Sequence, residues 1–140
     1  IAEIGTHFGR SAKMMLDAAL GCKVLCVDPF LYDGTEKCAR YFLREEVSQG
    51  RCEIKKERAF VAAYQFKGVR QFDMVFLDGG HEYWEVSDDI KVWRPLVRSG
   101  GLLCGHDMKN ATYPGVEKAV AELLPGFTQP VKSIWAYNVP

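Results

Sequence analysis

Four short apolar runs in this chain each stop at a polar or glycine-bearing corner, and a helical pattern follows each corner. Ile1–Ile4 stops at Gly5, and Val24–Val27 stops at Asp28-Pro29. Phe72–Leu77 runs into Asp78-Gly79-Gly80-His81, and Gly101–Cys104 into Gly105-His106-Asp107. Near-continuous apolar runs of this length suit strands covered on both faces. Strands that alternate with helical patterns suggest βα units in a parallel sheet. In open sheets of that kind ligands bind beyond the carboxyl ends of the strands. The four corners are therefore where function is expected.

The segments between the corners fill in the architecture. A helix is predicted from Arg10 to Leu20, with Gly21 as its stop. Thr35 is a candidate N-cap for a helix carrying Ala39, Phe42, Leu43 and Val47 and ending at Gly50. Cys52–Ile54 reads as a short strand, followed by a helix through Phe60 and Tyr64. Val86, Ile90, Trp93 and Val97 recur at helical spacing until Ser99-Gly100-Gly101 breaks the pattern. Pro114-Gly115 opens a last helix with Val116, Val120 and Leu123 on one face. Phe127–Val131 and Ser133–Val139 read as strands joined so tightly that they must be antiparallel. The expected fold is α/β: a Rossmann-like, doubly wound, mostly parallel sheet ending in an antiparallel hairpin. Residues 1–140 are expected to form a single domain, without repeats or linkers. The chain opens inside a strand without an initiator Met, so it reads as truncated at its N-terminus.

Bulk properties exclude several classes. Formal net charge is zero, which argues against nucleic acid as a partner. The short basic run Lys55, Lys56, Arg58 is interrupted by Glu53 and Glu57 and reads as a solvated face. No apolar run reaches membrane-spanning length. The five cysteines form no C-x-x-C pair and their number is odd, which opposes a zinc cluster or a disulfide framework. Several of them sit in apolar runs and read as small core residues, a reducing compartment fits, and the protein is expected to be cytoplasmic.

Spacing at the first corner separates the nucleotide-binding options. A dinucleotide fingerprint needs G-x-G-x-x-G, but after Gly5 the required positions hold His7 and Arg10. A P-loop needs a second glycine where Arg10 stands. What remains is E-x-G-x-x-x-G, formed by Glu3, Gly5 and Gly9. Asp28 ends the next strand and could accept hydrogen bonds from both hydroxyls of a ribose. It could also be a turn acid before Pro29. Asp78 with His81, and His106 with Asp107, end strands expected to be neighbours. All three histidines, His7, His81 and His106, fall in loops on this edge.

Phe72–Asp78 together with Gly100–Asp107, and the opening Glu3–Ser11, resemble class I S-adenosylmethionine-dependent methyltransferases of the small-molecule O-methyltransferase type. One similar branch carries D-G-x-H and G-H-D motifs and includes sugar-modifying enzymes. The other is the metal-dependent catechol and caffeoyl-coenzyme A type. The resemblance implies donor binding by Glu3, Gly5, Thr6, His7, Gly9 and Ser11. Asp28 and Pro29 would serve the ribose, and Arg58, Ala59, Asp78 and Gly79 would complete the donor site. It also implies Asp78, His106 and Asp107 as ligands of Mg²⁺ or another divalent cation, and His81 as general base. The acceptor would be a hydroxyl of a small molecule, and a homo-oligomer is compatible with this reading. His106 and Asp107 depart from the Asp and Asn of the metal-dependent branch, so a softer ion than Mg²⁺ would suit the site. Glu57-Arg58-Ala59 replaces the commoner Gly-Asp or Gly-Ala near adenine. Trp93 is expected in the core, Tyr83 and Trp84 near the site, and Tyr113 over the crevice. Two alternatives stand beside this reading. One is a non-catalytic domain of the same fold. The other is a nicotinamide-dependent oxidoreductase, opposed by the missing fingerprint and the closing hairpin.

Overall fold

The structure is a computed structural model that describes residues 1–68 and 72–140. In chain order it comprises β1 (Ala2–Ile4), α1 (Arg10–Ala18), β2 (Val24–Asp28), α2 (Thr35–Phe42), α3 (Arg44–Ser48), β3 (Cys52–Lys56) and α4 (Ala59–Tyr64). Next come β4 (Phe72–Leu77), α5 (Tyr83–Trp93), a 3-10 turn (Arg94–Leu96), β5 (Val97–Gly105), α6 (Pro114–Leu123), β6 (Thr128–Val131) and β7 (Ile134–Asn138). The strands form one sheet in the order β3-β2-β1-β4-β5-β7-β6. β1 to β5 pair in parallel, and β7 pairs antiparallel with both β5 and β6. The doubly wound sheet with its antiparallel close is the one expected from the sequence.

Register aligns the strand ends. Ile4 lies opposite Val27 on one side and Leu77 on the other, and Leu77 lies opposite Gly105. The next residues along each strand, Gly5, Asp28, Asp78 and His106, therefore emerge along one edge. Strand order reverses between β1 and β4, the switch point at which such sheets open a crevice.

Strand alternation splits the core in two. Ala2, Ile4, Val27, Val75 and Leu77 pack with Ala62, Val86, Ile90, Trp93, Val116 and Val120 from α4, α5 and α6. Val24, Cys26 and Cys52 pack with Ala12, Leu16 and Leu43 on the opposite face. The cysteines are all free, and Cys26, Cys52 and Cys104 are buried, as small core residues would be.

Local details differ from the sequence reading. Thr35 is the first residue of α2 rather than its cap. Gly34 takes the cap position at φ 81°, and the Thr35 hydroxyl donates to Tyr32 O at 2.7 Å. The helix expected through Val47 breaks at Leu43, which is buried, while Phe42 and Val47 are exposed. α1 stops at Ala18, because Leu20 reaches only solvent. In α4 the buried residues are Ala62 and Ala63, and Phe60 and Tyr64 face outward. Val97 belongs to β5 instead of a helix, and Ser99 to Gly101 lie within that strand. Pro95 in the intervening turn lacks the amide that would continue α5.

Candidate active site

The first corner turns sharply. Gly5 has φ 92° and Gly9 φ 80°, and a Cβ on Gly5 would overlap the Asp78 carbonyl. Only glycine meets both demands at that point. The Asp78 amide donates to Ile4 O at 2.7 Å, so the ends of β1 and β4 are locked together. Beneath this turn Glu3 is fully buried, with neither carboxylate oxygen hydrogen-bonded among the described residues. Burial pushes its pKa up to about 7; the Ser11 and Thr6 hydroxyls oppose the rise, and the negative Asp78 and Asp28 add to it. Those hydroxyls stand close without closing a hydrogen bond of normal geometry, and Thr6 Oγ1 is itself buried and unpaired.

Asp28 faces the same turn from β2. Its Oδ2 accepts from the His7 amide at 2.8 Å and its Oδ1 from the Phe30 amide at 2.6 Å. Both donors sit on left-handed backbone, at φ 49° each. A carboxylate oxygen has two lone pairs, so each oxygen of Asp28 keeps one for a further donor. Pro29 lies between Asp28 and Phe30. Arg58 caps α4 and is exposed, and Ala59 is that helix's first residue. The Glu57 amide donates to Asp28 O at 3.1 Å, which places Arg58 and Ala59 on the same edge beyond β2.

On the other side of β1 the four polar residues after β4 and β5 come together. His81 Nε2 lies 2.8 Å from Asp107 Oδ2. His106 Nδ1 lies 3.4 Å from Asp107 Oδ1 and 3.7 Å from Asp78 Oδ1. Burial pushes the Asp78 pKa up to about 6; His106, His81 and His7 counter this, and Asp107 reinforces it. One ligand atom from each of Asp78, His81 and Asp107 falls within 4.8 Å of the others. Among the described residues, then, the compact trio joins His81 to the two acids, with His106 at its margin. Two ligands held cis at bonds of about 2.1 Å stand about 3 Å apart. The 2.8 Å separation of His81 and Asp107 thus fits either a direct hydrogen bond or shared coordination.

Several residues around this cluster are not singled out by the sequence reading. Glu85 accepts from the His81 and Glu82 amides at 3.2 Å each and forms a capping box with Glu82. The Glu82-x-x-Glu85 spacing ahead of an apolar helix face was the available signal. Asp89, one turn further along α5, comes near Gly79, and burial together with Glu85 and Asp88 pushes its pKa up to about 7. Asn110 donates to Asp107 Oδ1 at 2.8 Å. Tyr113 stacks on His81, with ring centroids 4.0 Å apart and planes inclined by 19°. Tyr83 leads away from the cluster and donates to Glu122, and Trp84 is exposed. Trp93 is fully buried, as expected.

Residues 2–108 match the family model described as a methyltransferase domain. The chain belongs to that methyltransferase family. A curated relative, an uncharacterised protein of Acanthamoeba polyphaga mimivirus, is 24% identical over 139 residues. The match covers 93% of this chain and 63% of the relative, so the chain spans under two thirds of its length. Solved structures confirm the fold. An O-methyltransferase from Bacillus cereus in complex with SAH superposes with TM-score 0.73 at 18% identity, covering 97% of this chain and 72% of that one. An SAH-bound methyltransferase of Podospora anserina gives 0.75 at 13% identity, covering 99% and 70%. A TDP-rhamnose 3'-O-methyltransferase of calicheamicin biosynthesis, in its apo form, gives 0.71 at 18% identity, covering 96% and 69%.

Proposed function

We propose that this chain transfers a methyl group from S-adenosylmethionine to a hydroxyl of a small molecule, with His81 as general base. The observation that carries the reading is the 2.8 Å contact between His81 Nε2 and Asp107. A proton on Nε2, donated to the carboxylate, leaves Nδ1 as the lone-pair nitrogen. An imidazole so oriented can take a proton from a hydroxyl near neutral pH. The family match supports methyl transfer, and two of the neighbouring structures carry SAH.

The donor supplies a methyl group on a positively charged sulfur. The chain's own residues supply the rest. Glu3 places a buried, unpaired carboxyl beneath the Gly5–Gly9 turn, where it faces the cationic donor. The free lone pairs of Asp28 receive the two ribose hydroxyls. Gly5, Thr6, His7, Gly9, Ser11, Pro29, Arg58, Ala59 and Gly79 line the donor's path along the edge. The donor would give up its methyl group to the acceptor oxygen, its sulfur keeping the bonding pair, and His81 Nδ1 would take the proton that oxygen loses. Alignment of the two reactants contributes much of the acceleration.

A second reading rests on the trio within 4.8 Å. Asp78, His81 and Asp107, with His106 beside them, would hold a divalent cation. Their mixed nitrogen and oxygen donors suit Mn²⁺ or Zn²⁺ better than Mg²⁺. Such an ion would lower the acceptor's pKa as a Lewis acid. Titration calorimetry with S-adenosylmethionine and S-adenosylhomocysteine, with and without Mn²⁺ or Mg²⁺ and with a nicotinamide cofactor as control, tests both readings. Selective micromolar binding of the donor pair, followed by labelled-methyl transfer to a panel of phenols and sugars, is expected. Donor binding without transfer to any hydroxyl would overturn the enzymatic reading. Purified protein without bound metal, and turnover indifferent to chelator, would remove the cation.

A further inference from the structure

The segment from the end of β5 into the first turn of α6 touches His81 by three independent routes. Asp107 Oδ2 lies 2.8 Å from its Nε2. Tyr113 covers the imidazole face at 4.0 Å, nearly parallel to it. Gly115, in the first turn of α6, lies so close to the Tyr83 amide and the His81 carbonyl that a Cβ there would overlap them. From the opposite side Glu85 accepts from the His81 amide at 3.2 Å.

The segment is itself tied down. The Met108 amide donates to Ser133 O at 3.1 Å, anchoring it to the β6–β7 hairpin, and the Met108 side chain is buried. Asn110 works in two directions. Its amide nitrogen donates to Asp107 Oδ1 at 2.8 Å, and its oxygen accepts from the Thr112 amide at 3.0 Å. The Tyr113 amide donates to Asn110 O at 2.9 Å. Asn110 thus fixes the carboxylate that holds His81 and the loop that presents Tyr113.

We infer that Asn110 and Tyr113 are positioning residues that hold the His81 imidazole in one rotamer and one tautomer, with Nε2–H on Asp107 and Nδ1 open. Asn110 acts through the carboxylate, and Tyr113 acts through its ring face. A flat ring stacked at 4.0 Å restricts rotation about the last side-chain bond, which for histidine is otherwise broad. A carboxylate hydrogen-bonded to Asn110 on one oxygen and in close contact with His81 on the other is held against turning away. This inference rests on the reading of His81 as the base only for its catalytic consequence.

The test needs no acceptor. The chain has three histidines, so a long-range proton–nitrogen spectrum of protein labelled in histidine nitrogen contains three imidazoles. A His81→Asn variant assigns the one of interest. In mildly alkaline buffer without metal, the parent is expected to show one protonated and one unprotonated nitrogen for His81. Asn110→Ala and Tyr113→Leu are expected to lose this single pattern, giving averaged nitrogens. Tyr113→Phe, which keeps the ring and drops the hydroxyl, is expected to retain it. Melting temperatures identify any variant that fails to fold, and the Tyr113→Phe and Asn110→Asp pair then carries the test. Asn110→Asp keeps the acceptor for Thr112 but cannot donate to Asp107, so it is expected to average. An averaged His81 in the parent, or parental spectra in all folded variants, would overturn the inference. The base reading fails separately: turnover unchanged in His81→Ala removes the base and leaves these spectra untouched.

Discussion

Two carboxylates on this edge, Glu3 and Asp107, are held in opposite ways. In β1 Glu3 is fully buried, and neither oxygen has a hydrogen-bond partner among the described residues. Beyond β5 Asp107 has a close partner at each oxygen, His81 at one and Asn110 at the other. An unpaired buried acid is destabilising when ionised and pulls strongly on any cation brought beside it. An acid with a partner at each oxygen does much for the geometry of those partners. Under the proposed function the two residues would have different tasks: attraction for Glu3, aim for Asp107.

The largest effect is expected at the glycine where the ends of β1 and β4 meet. Gly5→Ala would place a side chain on left-handed backbone and against the Asp78 carbonyl. Strain and overpacking together should cost roughly 2 to 6 kcal/mol, read as a fall in denaturation midpoint. Parental stability would show that the two strand ends are less tightly joined than the geometry indicates. Next comes His81→Ala, for which turnover should drop by about 10²- to 10⁴-fold. Donor affinity by calorimetry should barely change, because aim and attraction are separate.

Glu3 makes the contrast visible in pH. Its pKa is about 7 in the fold against 4.5 for the free side chain. The folded state therefore holds the proton that the unfolded chain has released between these values. Stability should fall as pH rises through that window, by about 3 kcal/mol from this residue alone. Thermal melts from pH 4 to 8, as a rough range, should show this slope in the parent and a shallower one in Glu3→Gln. Asp78 and Asp89, raised to about 6 and about 7, supply slope of the same sign that the variant retains. An equal slope in both proteins would place the proton elsewhere. The smallest effect is expected for Asp28→Asn. Loss of acceptor capacity should weaken donor binding by about 1 to 2 kcal/mol, with turnover at saturating donor little altered.

Much of this edge was legible in the chain because strand ends are written in contrast. Leu77 to Asp78 and Val27 to Asp28 are abrupt changes from apolar to acidic residues, and register then brings the loops beyond them to one level. The antiparallel close was legible for a similar reason, since two apolar runs so near each other leave no room for a crossover. The faces of short helices were not. In α4 the larger side chains, Phe60 and Tyr64, lie outside, and the small Ala62 and Ala63 fit the narrow space over the sheet. The neighbourhood of His81 was legible too, since β4–β5 pairing sets Asp107 beside it and Tyr113 was expected over the crevice. The detail was not: the 2.8 Å contact, the ring stacking and the role of Asn110 follow from packing between residues far apart in sequence.

Asp107 carries one more consequence, for the substitutions open to the site over generations. Its backbone stands at φ 59°, a conformation that asparagine and aspartate adopt far more readily than most residues. Its carboxylate must also reach His81 across a single methylene. Glycine satisfies the backbone but brings no oxygen, and glutamate brings oxygen on a longer arm that the backbone does not favour. Aspartate and asparagine alone answer both needs. Drift at this position should therefore run between those two residues, and the backbone and the contact with His81 together set that narrow choice.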